Sequence, residues 1–363
     1  MGAAIVDGIE IDFMPVGEGE RSGDAIAIRW REGNQYKVLV YDGGTSDYGE
    51  ILVNHVKTYF ETDRVDYVVN SHPDNDHAGG LLYVLENLQV GELWMHRPWS
   101  YSAQIREYFD DGRMTNASLA ERLKQKMSAA HSLEKAAKER KIPILEPFAG
   151  SKIGVFIVLS PTKDRYVHDL IPAFEKSPEL KKAASVVGYA TDMLKAAASY
   201  VADVWHKEYL PETVTTSAEN ESSTILFAQT EAAGYLLTGD AGIESLRACA
   251  EYAASIGIDL PRKVTFVQIP HHGGRHNVST ETLNMVLGPP LVDQNAVPTR
   301  CAFVSAAEKA PAHPKRIVTN AFIRRGFAVG QTKGKAVCHH SNMPVRAGWV
   351  PISCVPFYDE VEG

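Results

Sequence analysis

The segment 72–77, with the sequence His-Pro-Asp-Asn-Asp-His, places two imidazoles and two carboxylates within six residues. Imidazole nitrogen suits zinc, iron and nickel, and carboxylate oxygen adds affinity for harder ions such as manganese. Two such ions about 3.5–4 Å apart activate water and stabilise charge on a phosphoryl or acyl oxygen. A polar turn rich in Asp and His also occurs without metal. An apolar strand before the segment and Gly79-Gly80 after it favour the metal site.

Three further motifs follow predicted strands and carry residues of the same types. Asp42 lies in Asp-Gly-Gly, Asp240 lies in Thr-Gly-Asp-Ala, and His271 and His272 precede Gly273. Taken singly, such an aspartate is more often a turn or helix-cap residue, and such a histidine is more often a surface residue. Their occurrence together, in this order, strengthens the prediction of a metal site.

This order of motifs resembles the metallo-β-lactamase superfamily, and within it the soluble nuclease-like domain of ComEC-type competence proteins. That domain opens with Val-Gly-x-Gly-Asp-Ala, which is similar to 16–19 followed, after a short insertion, by Gly23-Asp24-Ala25. It carries Asp in place of the second motif histidine, as Asp74 does here. It also has an Asn-x-x-Ser element, matched by 220–223, and a late Ser…His-Pro pattern, matched by Ser305 and His313-Pro314.

The resemblance implies an α/β fold, a four-layer αββα sandwich, and a site for two divalent ions, zinc or manganese. It implies that two residues hold the first ion, two hold the second, and an aspartate bridges both. His72 and Asp74 would hold the first ion, Asp76 and His77 the second, and Asp240 would bridge both. One of His271 and His272 completes the second site. Neighbours on extended backbone point in opposite directions, and His272, directly before Gly273, fits the pattern better. Asp42 and His271 are expected behind the ligands, with Asp42 orienting an imidazole.

One position departs from the superfamily pattern. Many members supply a further metal histidine after the middle strand, where this sequence has Ser160 in Leu-Ser-Pro. We therefore expect the first ion to be labile, or His313 to compensate.

The chemistry implied is metal-assisted hydrolysis, in which the cations lower the pKa of water so that hydroxide forms near neutral pH. Asp74 and Asp76 are candidate proton acceptors, and His313 is a candidate to protonate the leaving oxygen or to bind phosphate. Three nearby cations, Arg275, Lys315 and Arg316, are predicted to bind the substrate.

Three functions fit these residues. The first is a phosphodiesterase or nuclease, whose substrate is single-stranded nucleic acid or a nucleotide. The second is a carbon-centred hydrolase such as a thioesterase, lactonase or lactamase, which predicts an apolar pocket without a phosphate clamp. The third is a catalytically silent regulatory module that retains only the fold. Fold alone does not separate them.

The charge distribution favours the first function. The formal net charge is −8, which weighs against a general nucleic-acid binder. Residues 301–340, here called the basic region, nevertheless hold seven Lys or Arg against one acid, a local excess of +6. Such a run is either a solvated face or a patch for a phosphate-bearing substrate.

The predicted elements alternate between strands and helices without internal repeats or a low-complexity linker. Strands are expected near 9–14, 25–30, 36–41, 65–70, 153–159, 223–229, 234–237, 264–269, 301–304 and 327–329, and helices near 49–60, from 79 and near 315–325. Helical insertions are expected near 100–142 and 162–218, within one domain spanning 1–363. The start of the chain lacks a basic-then-apolar signal pattern, the longest apolar runs are shorter than a membrane span, and the four cysteines lie far apart. These features predict a cytoplasmic protein without a membrane partner.

Overall fold

The computed structural model describes residues 5–17, 19, 21–180, 200–311 and 313–362. Part of the predicted insertion at 162–218, residues 181–199, therefore lies outside the described residues. Strands Ala25–Glu32 and Gln35–Gly43 form the predicted hairpin, and Gly33 turns the chain with a φ of 61°. That left-handed conformation suits glycine, which has no Cβ to clash.

Two large sheets dominate the described part of the chain. In spatial order, the first consists of Val337–Ser341, Gly8–Phe13, Ala25–Glu32, Gln35–Gly43, Arg64–Asn70, Gln89–Met95 and Ile144–Leu145. The second consists of Phe327–Gln331, Arg300–Val304, Val264–Gln268, Gly234–Leu237, Ile225–Thr230, Phe156–Ser160 and Lys152–Ile153, with Ile5–Val6 also paired to Ile225–Thr230. A small antiparallel pair joins Tyr200–Ala202 to Glu360–Glu362.

Each large sheet is antiparallel at one side and parallel at the other. In the first sheet the pairings are parallel from Gln35–Gly43 to Ile144–Leu145. In the second sheet they are parallel from Phe327–Gln331 to Gly234–Leu237. Parallel neighbours end at the same edge of a sheet. Loops that follow these strands therefore meet, and they carry the motifs singled out in the sequence.

Helices cover the outer faces of both sheets. The α-helices are Gly49–Tyr59, Asn75–Ala78, Leu81–Asn87, Ser102–Ile105, Asn116–Lys126, Ser128–Glu139, Lys163–Arg165, Ile171–Ala173, Ala218–Glu221, Ile243–Ser255, Leu260–Lys263, Thr280–Leu287 and Arg316–Arg324. Short 3-10 turns cover Ser46–Tyr48, Pro98–Tyr101, Arg106–Tyr108 and His271–Gly273, and a π turn covers Tyr166–Leu170. None of the helices in the described ranges has the length and apolar composition needed to cross a membrane.

Strand alternation produces the layers. In Gln35–Gly43, Val38 and Val40 pack towards the helices, whereas Leu39 and Tyr41 pack between the two sheets. A third apolar cluster, which includes Leu236 and Leu246, lies between the second sheet and its helices. The arrangement is a mixed α/β fold with two large sheets and helices outside them, as the sequence predicts.

The first strand differs from its prediction as a half-buried strand, because all six residues of Gly8–Phe13 are buried. Its two acidic side chains are paired instead of solvated. Glu10 forms an ion pair with Arg29, and Asp12 Oδ2 lies 2.7 Å from His55 Nε2. Arg346 contacts both acids, at 2.7 Å and 2.8 Å. Buried charges need such partners, so the polar face of this strand is a covered ion-pair network.

The basic region does not form one continuous surface patch, because two of its seven cations are buried. Arg324 and Arg325 are fully buried. Arg324 Nη2 donates to Asp203 Oδ1 at 2.6 Å, and Arg325 makes a two-pronged pair with Glu208 at 2.7 Å and 2.9 Å. Both acids come from 200–211, so another part of the chain neutralises two of the seven basic charges counted along 301–340.

Replacing Arg324 by methionine is expected to destabilise the fold rather than weaken substrate binding. Loss of one partner from a buried ion pair leaves Asp203 uncompensated and costs about 3–5 kcal/mol. Urea unfolding measures the difference. Arg316→Ala serves as the comparison, because the half-buried Arg316 packs over Tyr200 and Tyr358 and its loss should cost less. A raised KM with unchanged unfolding in Arg324→Met would contradict this structural role.

Candidate metal centre

Four buried residues, carried by segments next to strands of both sheets, bring metal-binding atoms together. They are Asp24, His77, Asp240 and His272, here called the donor cluster, and one nitrogen or oxygen from each lies within 4.8 Å of the others. Asp24 precedes strand Ala25–Glu32, His77 lies in helix Asn75–Ala78, and Asp240 and His272 follow strands of the second sheet.

The donor cluster fits a divalent transition metal. Asp24 Oδ1, His77 Nε2, Asp240 Oδ1 and His272 Nε2 are buried and have no hydrogen-bond partner. Buried polar atoms are normally satisfied, so four neighbouring exceptions require an explanation. Two imidazole nitrogens and two carboxylate oxygens are a mixed donor set that suits zinc or manganese. A bound cation would satisfy all four atoms.

The neighbours of three histidines leave Nε2 available for a metal. His77 Nδ1 lies 2.8 Å from Asp42 Oδ2, and His272 Nδ1 lies 3.2 Å from the Ser305 carbonyl oxygen. His72 Nδ1 lies 3.0 Å from the Ser71 hydroxyl, which itself donates to Asp42 Oδ2 at 2.6 Å. An Nδ1–H donated to each acceptor leaves the Nε2 lone pair for coordination.

Asp42 holds this arrangement from behind. It is fully buried, and its Oδ1 also accepts the Ser71 backbone N–H at 2.7 Å. Its φ is 59°, a left-handed conformation that is uncommon outside glycine, asparagine and aspartate. Through these contacts Asp42 fixes the orientation of the His77 imidazole.

Asp240 presents one oxygen to each half of the site. On the side of Oδ1, His77 Nε2 lies at 3.3 Å and His272 Nε2 at 3.9 Å. On the side of Oδ2, His72 Nε2 lies at 4.0 Å and His271 Nε2 at 3.8 Å. These are called the Oδ1 side and the Oδ2 side below. The geometry is compatible with the bridging role expected of Asp240.

His271 and His272 are not on extended backbone, so the reason given for separating them was wrong. Their φ angles are 47° and 55°, both left-handed. In this conformation both imidazoles turn towards Asp240, one on each side. Asn277 connects the two loops, since its Oδ1 lies 2.8 Å from His271 Nδ1 and its Nδ2 donates to the Asp240 carbonyl oxygen at 2.8 Å. Strained left-handed residues cluster at functional sites.

The remaining acids of the 72–77 segment lie at the rim. Asp74 is half-buried, with Oδ2 3.7 Å from His72 Nε2 and Oδ1 bonded to the ammonium of Lys176. Asp76 is half-buried and is not part of the donor cluster, although its carbonyl oxygen accepts the Asp24 backbone N–H at 3.2 Å. Asp24 thus stands in the cluster where the sequence predicts Asp76.

Asp24 is the ligand candidate that the sequence prediction omitted. The only sequence feature that singled out Asp24 was the Gly23-Asp24-Ala25 element. A Cβ at Gly23 would lie 2.5 Å from the Asp76 carbonyl oxygen, so glycine permits the two loops to touch. Gln268 Nε2 donates to Asp24 Oδ2 at 2.9 Å and fixes the carboxylate.

The Asn-x-x-Ser element supports the same site from the second sheet. Ser223 Oγ accepts the Asp240 backbone N–H at 3.1 Å and lies 3.4 Å from His72 Nδ1. Asn220 Nδ2 lies 3.2 Å from His271 Nδ1. Ser160, at the position of the missing histidine, is buried, and its hydroxyl has no hydrogen-bond partner.

The predicted substrate-binding residues separate into two groups. His313 stacks near His271, with ring centroids 6.3 Å apart, and the Lys315 backbone N–H donates to the Gly273 carbonyl oxygen at 3.0 Å. Arg275 is half-buried in the loop that follows His272. Arg316 instead donates to the Glu360 carbonyl oxygen at 3.4 Å and packs over two tyrosines. The structure does not bring its guanidinium to the site.

Burial and neighbouring charges shift the titration of the site. Burial alone would raise the Asp240 pKa, but His77, His271 and His272 hold it well below its usual range. Burial would lower the His77 pKa, but Asp240 and Asp42 raise it well above the usual value. Burial raises the Asp24 pKa. Burial, with His272 and His271 nearby, lowers the pKa of His313 to about 3.

Residues 19–156 match the model of the metallo-β-lactamase superfamily. No curated protein sequence matches the chain. The structure resembles the metallo-β-lactamase fold protein YhfI from Bacillus subtilis, at 9% identity and a TM-score of 0.42, covering 92% of this chain and 100% of that one. It also resembles metallo-β-lactamase SMB-1 bound to 2-mercaptoethanesulfonate, at 10% identity and a TM-score of 0.31, covering 76% of this chain and 86% of that one. A mutant of the CmlA β-hydroxylase is also similar, at 10% identity and a TM-score of 0.38, covering 93% of this chain and 55% of that one. The family match over 19–156 and the two large sheets with outer helices are consistent with the metallo-β-lactamase fold.

Proposed function

We propose that this protein is a metal-dependent hydrolase and that its substrate is a phosphodiester. The observation that carries the proposal is the donor cluster, whose four buried metal-binding atoms lack any other partner. Asp24, His77, Asp240 and His272 would hold the principal ion. A bound divalent metal supplies acidity to water and polarises a phosphoryl oxygen.

The chain's own residues orient the site and handle protons. Asp42 fixes the His77 ring directly and the His72 ring through the Ser71 hydroxyl. Asp76 is half-buried at the rim, where a carboxylate is able to accept a proton from an attacking water. His313 stacks near His271, and burial lowers its pKa to about 3, so its neutral imidazole is proposed to donate an N–H hydrogen bond to the phosphate or the leaving oxygen.

The preference for a phosphodiester rests on the cations around the donor cluster. Lys176 contacts Asp74, Lys315 follows the loop that touches Gly273, and Arg275 follows His272. Such cations neutralise phosphate oxygens without entering the metal's coordination shell. The net charge of −8 should repel a long polyanion away from this rim, so a short or single-stranded substrate is favoured over extended duplex.

A substrate panel in one metal condition tests the proposal. Protein supplied with Zn²⁺ or Mn²⁺ is incubated with bis-p-nitrophenyl phosphate, single-stranded DNA, duplex DNA, RNA and cyclic dinucleotides, and with a thioester, a lactone and a β-lactam. We expect turnover of phosphodiesters, with single strands favoured over duplex. A clear preference for an acyl substrate would contradict the phosphodiester assignment, and inactivity of metal-loaded protein on every substrate would contradict the enzyme itself.

Two neighbouring lysine and arginine variants refine the same test. Lys315→Ala should raise KM for the phosphodiester more than it lowers kcat, because a cation that binds ground state and transition state equally affects KM. Arg316→Ala is the matched control. Its guanidinium packs at the C-terminal strand, so its KM should stay at the wild-type value.

A further inference from the structure

A lysine ammonium lies on the Oδ2 side of the site. Lys176 Nζ is bonded to Asp74 Oδ1 and lies 4.0 Å from Glu219 Oε1. Lys176 follows the helix Ile171–Ala173, about 100 residues after the motif that it contacts. No feature of the 72–77 motif predicts this cation, because the contact depends on the tertiary fold.

The ammonium is held there by a dedicated anchor. Glu219 is buried, and its two carboxylate oxygens accept the backbone N–H groups of Glu175 and Lys176, each at 3.2 Å. Glu219 itself belongs to the short helix capped by Ser217. The segment that carries Lys176 is therefore fixed to the helix Ala218–Glu221, which closely precedes Ser223, the residue that contacts His72 Nδ1 and the Asp240 backbone N–H.

The two sides of Asp240 differ in their capacity for a metal. The Oδ1 side carries the donor cluster, with its four unsatisfied atoms, whereas on the Oδ2 side His72 Nε2 is buried without a hydrogen-bond partner and Asp74 is half-buried. On the Oδ2 side, one oxygen of Asp74 is occupied by an ammonium, and the position expected for another histidine is Ser160. A cation entering next to Asp74 would be repelled by the positive charge of Lys176.

We propose that Lys176 makes this a centre with one tightly bound metal ion: its ammonium takes the place beside Asp74 that a second ion would otherwise fill. The inference rests on the proposed metal-dependent function and specifies it. Asp24, His77, Asp240 and His272 hold the tight ion, and Asp74 serves Lys176 rather than the metal. Lys176 is thus a positioning residue that sets the metal content of the site.

Metal content, measured independently of activity, tests the inference. Metal-free protein is titrated with Zn²⁺ and separately with Mn²⁺, binding is followed by calorimetry, and ions retained after desalting are counted by elemental analysis. Wild type should retain one ion per chain. Lys176→Met should bind a second ion at least about tenfold more tightly than wild type does, because the repulsion is removed. Lys176→Arg, which keeps the charge, should behave as wild type.

A second variant decides the matter if Lys176→Met does not fold. Asp74→Asn should keep the tight ion, since Asp74 lies outside the donor cluster. Loss of that ion in Asp74→Asn, two ions of equal affinity in wild type, or an unchanged second affinity in folded Lys176→Met would each overturn the role of Lys176. Wild-type protein that binds no ion would overturn the proposed function as well, and this outcome is distinct from the others.

Discussion

Asp240→Ala is expected to reduce hydrolysis to the background rate and to release the tight metal ion, while the fold is retained. The side chain presents Oδ1 to His77 and His272 and Oδ2 to His72 and His271. It is the only carboxylate among the described residues of the donor cluster with both oxygens facing site histidines at 4.0 Å or less. Its loss therefore removes the one ligand candidate that faces four site histidines. The measurement is kcat/KM together with elemental analysis of the purified variant.

Asp42→Asn is the matched comparison. Asparagine tolerates the φ of 59° and has nearly the same volume, but its amide cannot accept every hydrogen bond made to the two oxygens of Asp42. Changes to partners that orient ligands typically cost about 10–100-fold in metal affinity or activity. Equal losses in Asp42→Asn and Asp240→Ala at saturating metal would contradict the different roles proposed for the two residues.

Much of the architecture is visible in the sequence because apolar alternation and Gly-rich turns are local signals. The hairpin at Gly33 and the strands that lead to Asp42, His72 and Asp240 are confirmed within one or two residues, although the first of these strands extends through Asp42 to Gly43. Strand Val337–Ser341 was missed, because His339 and Cys338 hide its pattern. His339 packs on Phe266 between the sheets, with centroids 4.5 Å apart, a contact that only the folded chain creates.

The site was harder to predict wherever it depends on distant partners. Asp24 meets His77 and Asp240 only because the fold brings segments next to different strands together, and Lys176 reaches Asp74 across about 100 residues. Counting charge along the basic region overstates its exposed positive charge for the same reason, since Asp203 and Glu208 neutralise Arg324 and Arg325 from another segment. A sequence motif shows which residue types are present, whereas tertiary contacts decide which of these residues lie close enough to bind the same metal ion.

Removal of the metal is expected to lower the melting temperature of the protein substantially. Without a cation, the donor cluster contains two buried carboxylates close together, and burial and Asp240 both raise the Asp24 pKa. A ligand that binds only the folded state at about 1,000 times its Kd adds about 4 kcal/mol of stability. At about 2 °C per kcal/mol, as expected for large domains, chelation should lower Tm on the order of 8 °C. Thermal unfolding with and without EDTA, at fixed ionic strength, measures the shift.

The double variant Asp24→Asn/Asp240→Asn separates metal binding from nonspecific effects of the chelator. Both amides keep the side-chain volume and remove the two buried charges, so the variant should bind no tight ion and its Tm should be insensitive to EDTA. Adding excess Zn²⁺ or Mn²⁺ back to chelated wild type should restore the original Tm, whereas the double variant should not respond. A ligand that binds only the folded state stabilises it, so loss of the metal should lower Tm. If elemental analysis shows that wild type has lost its metal and its Tm is unchanged, the donor cluster is not stabilised by a cation.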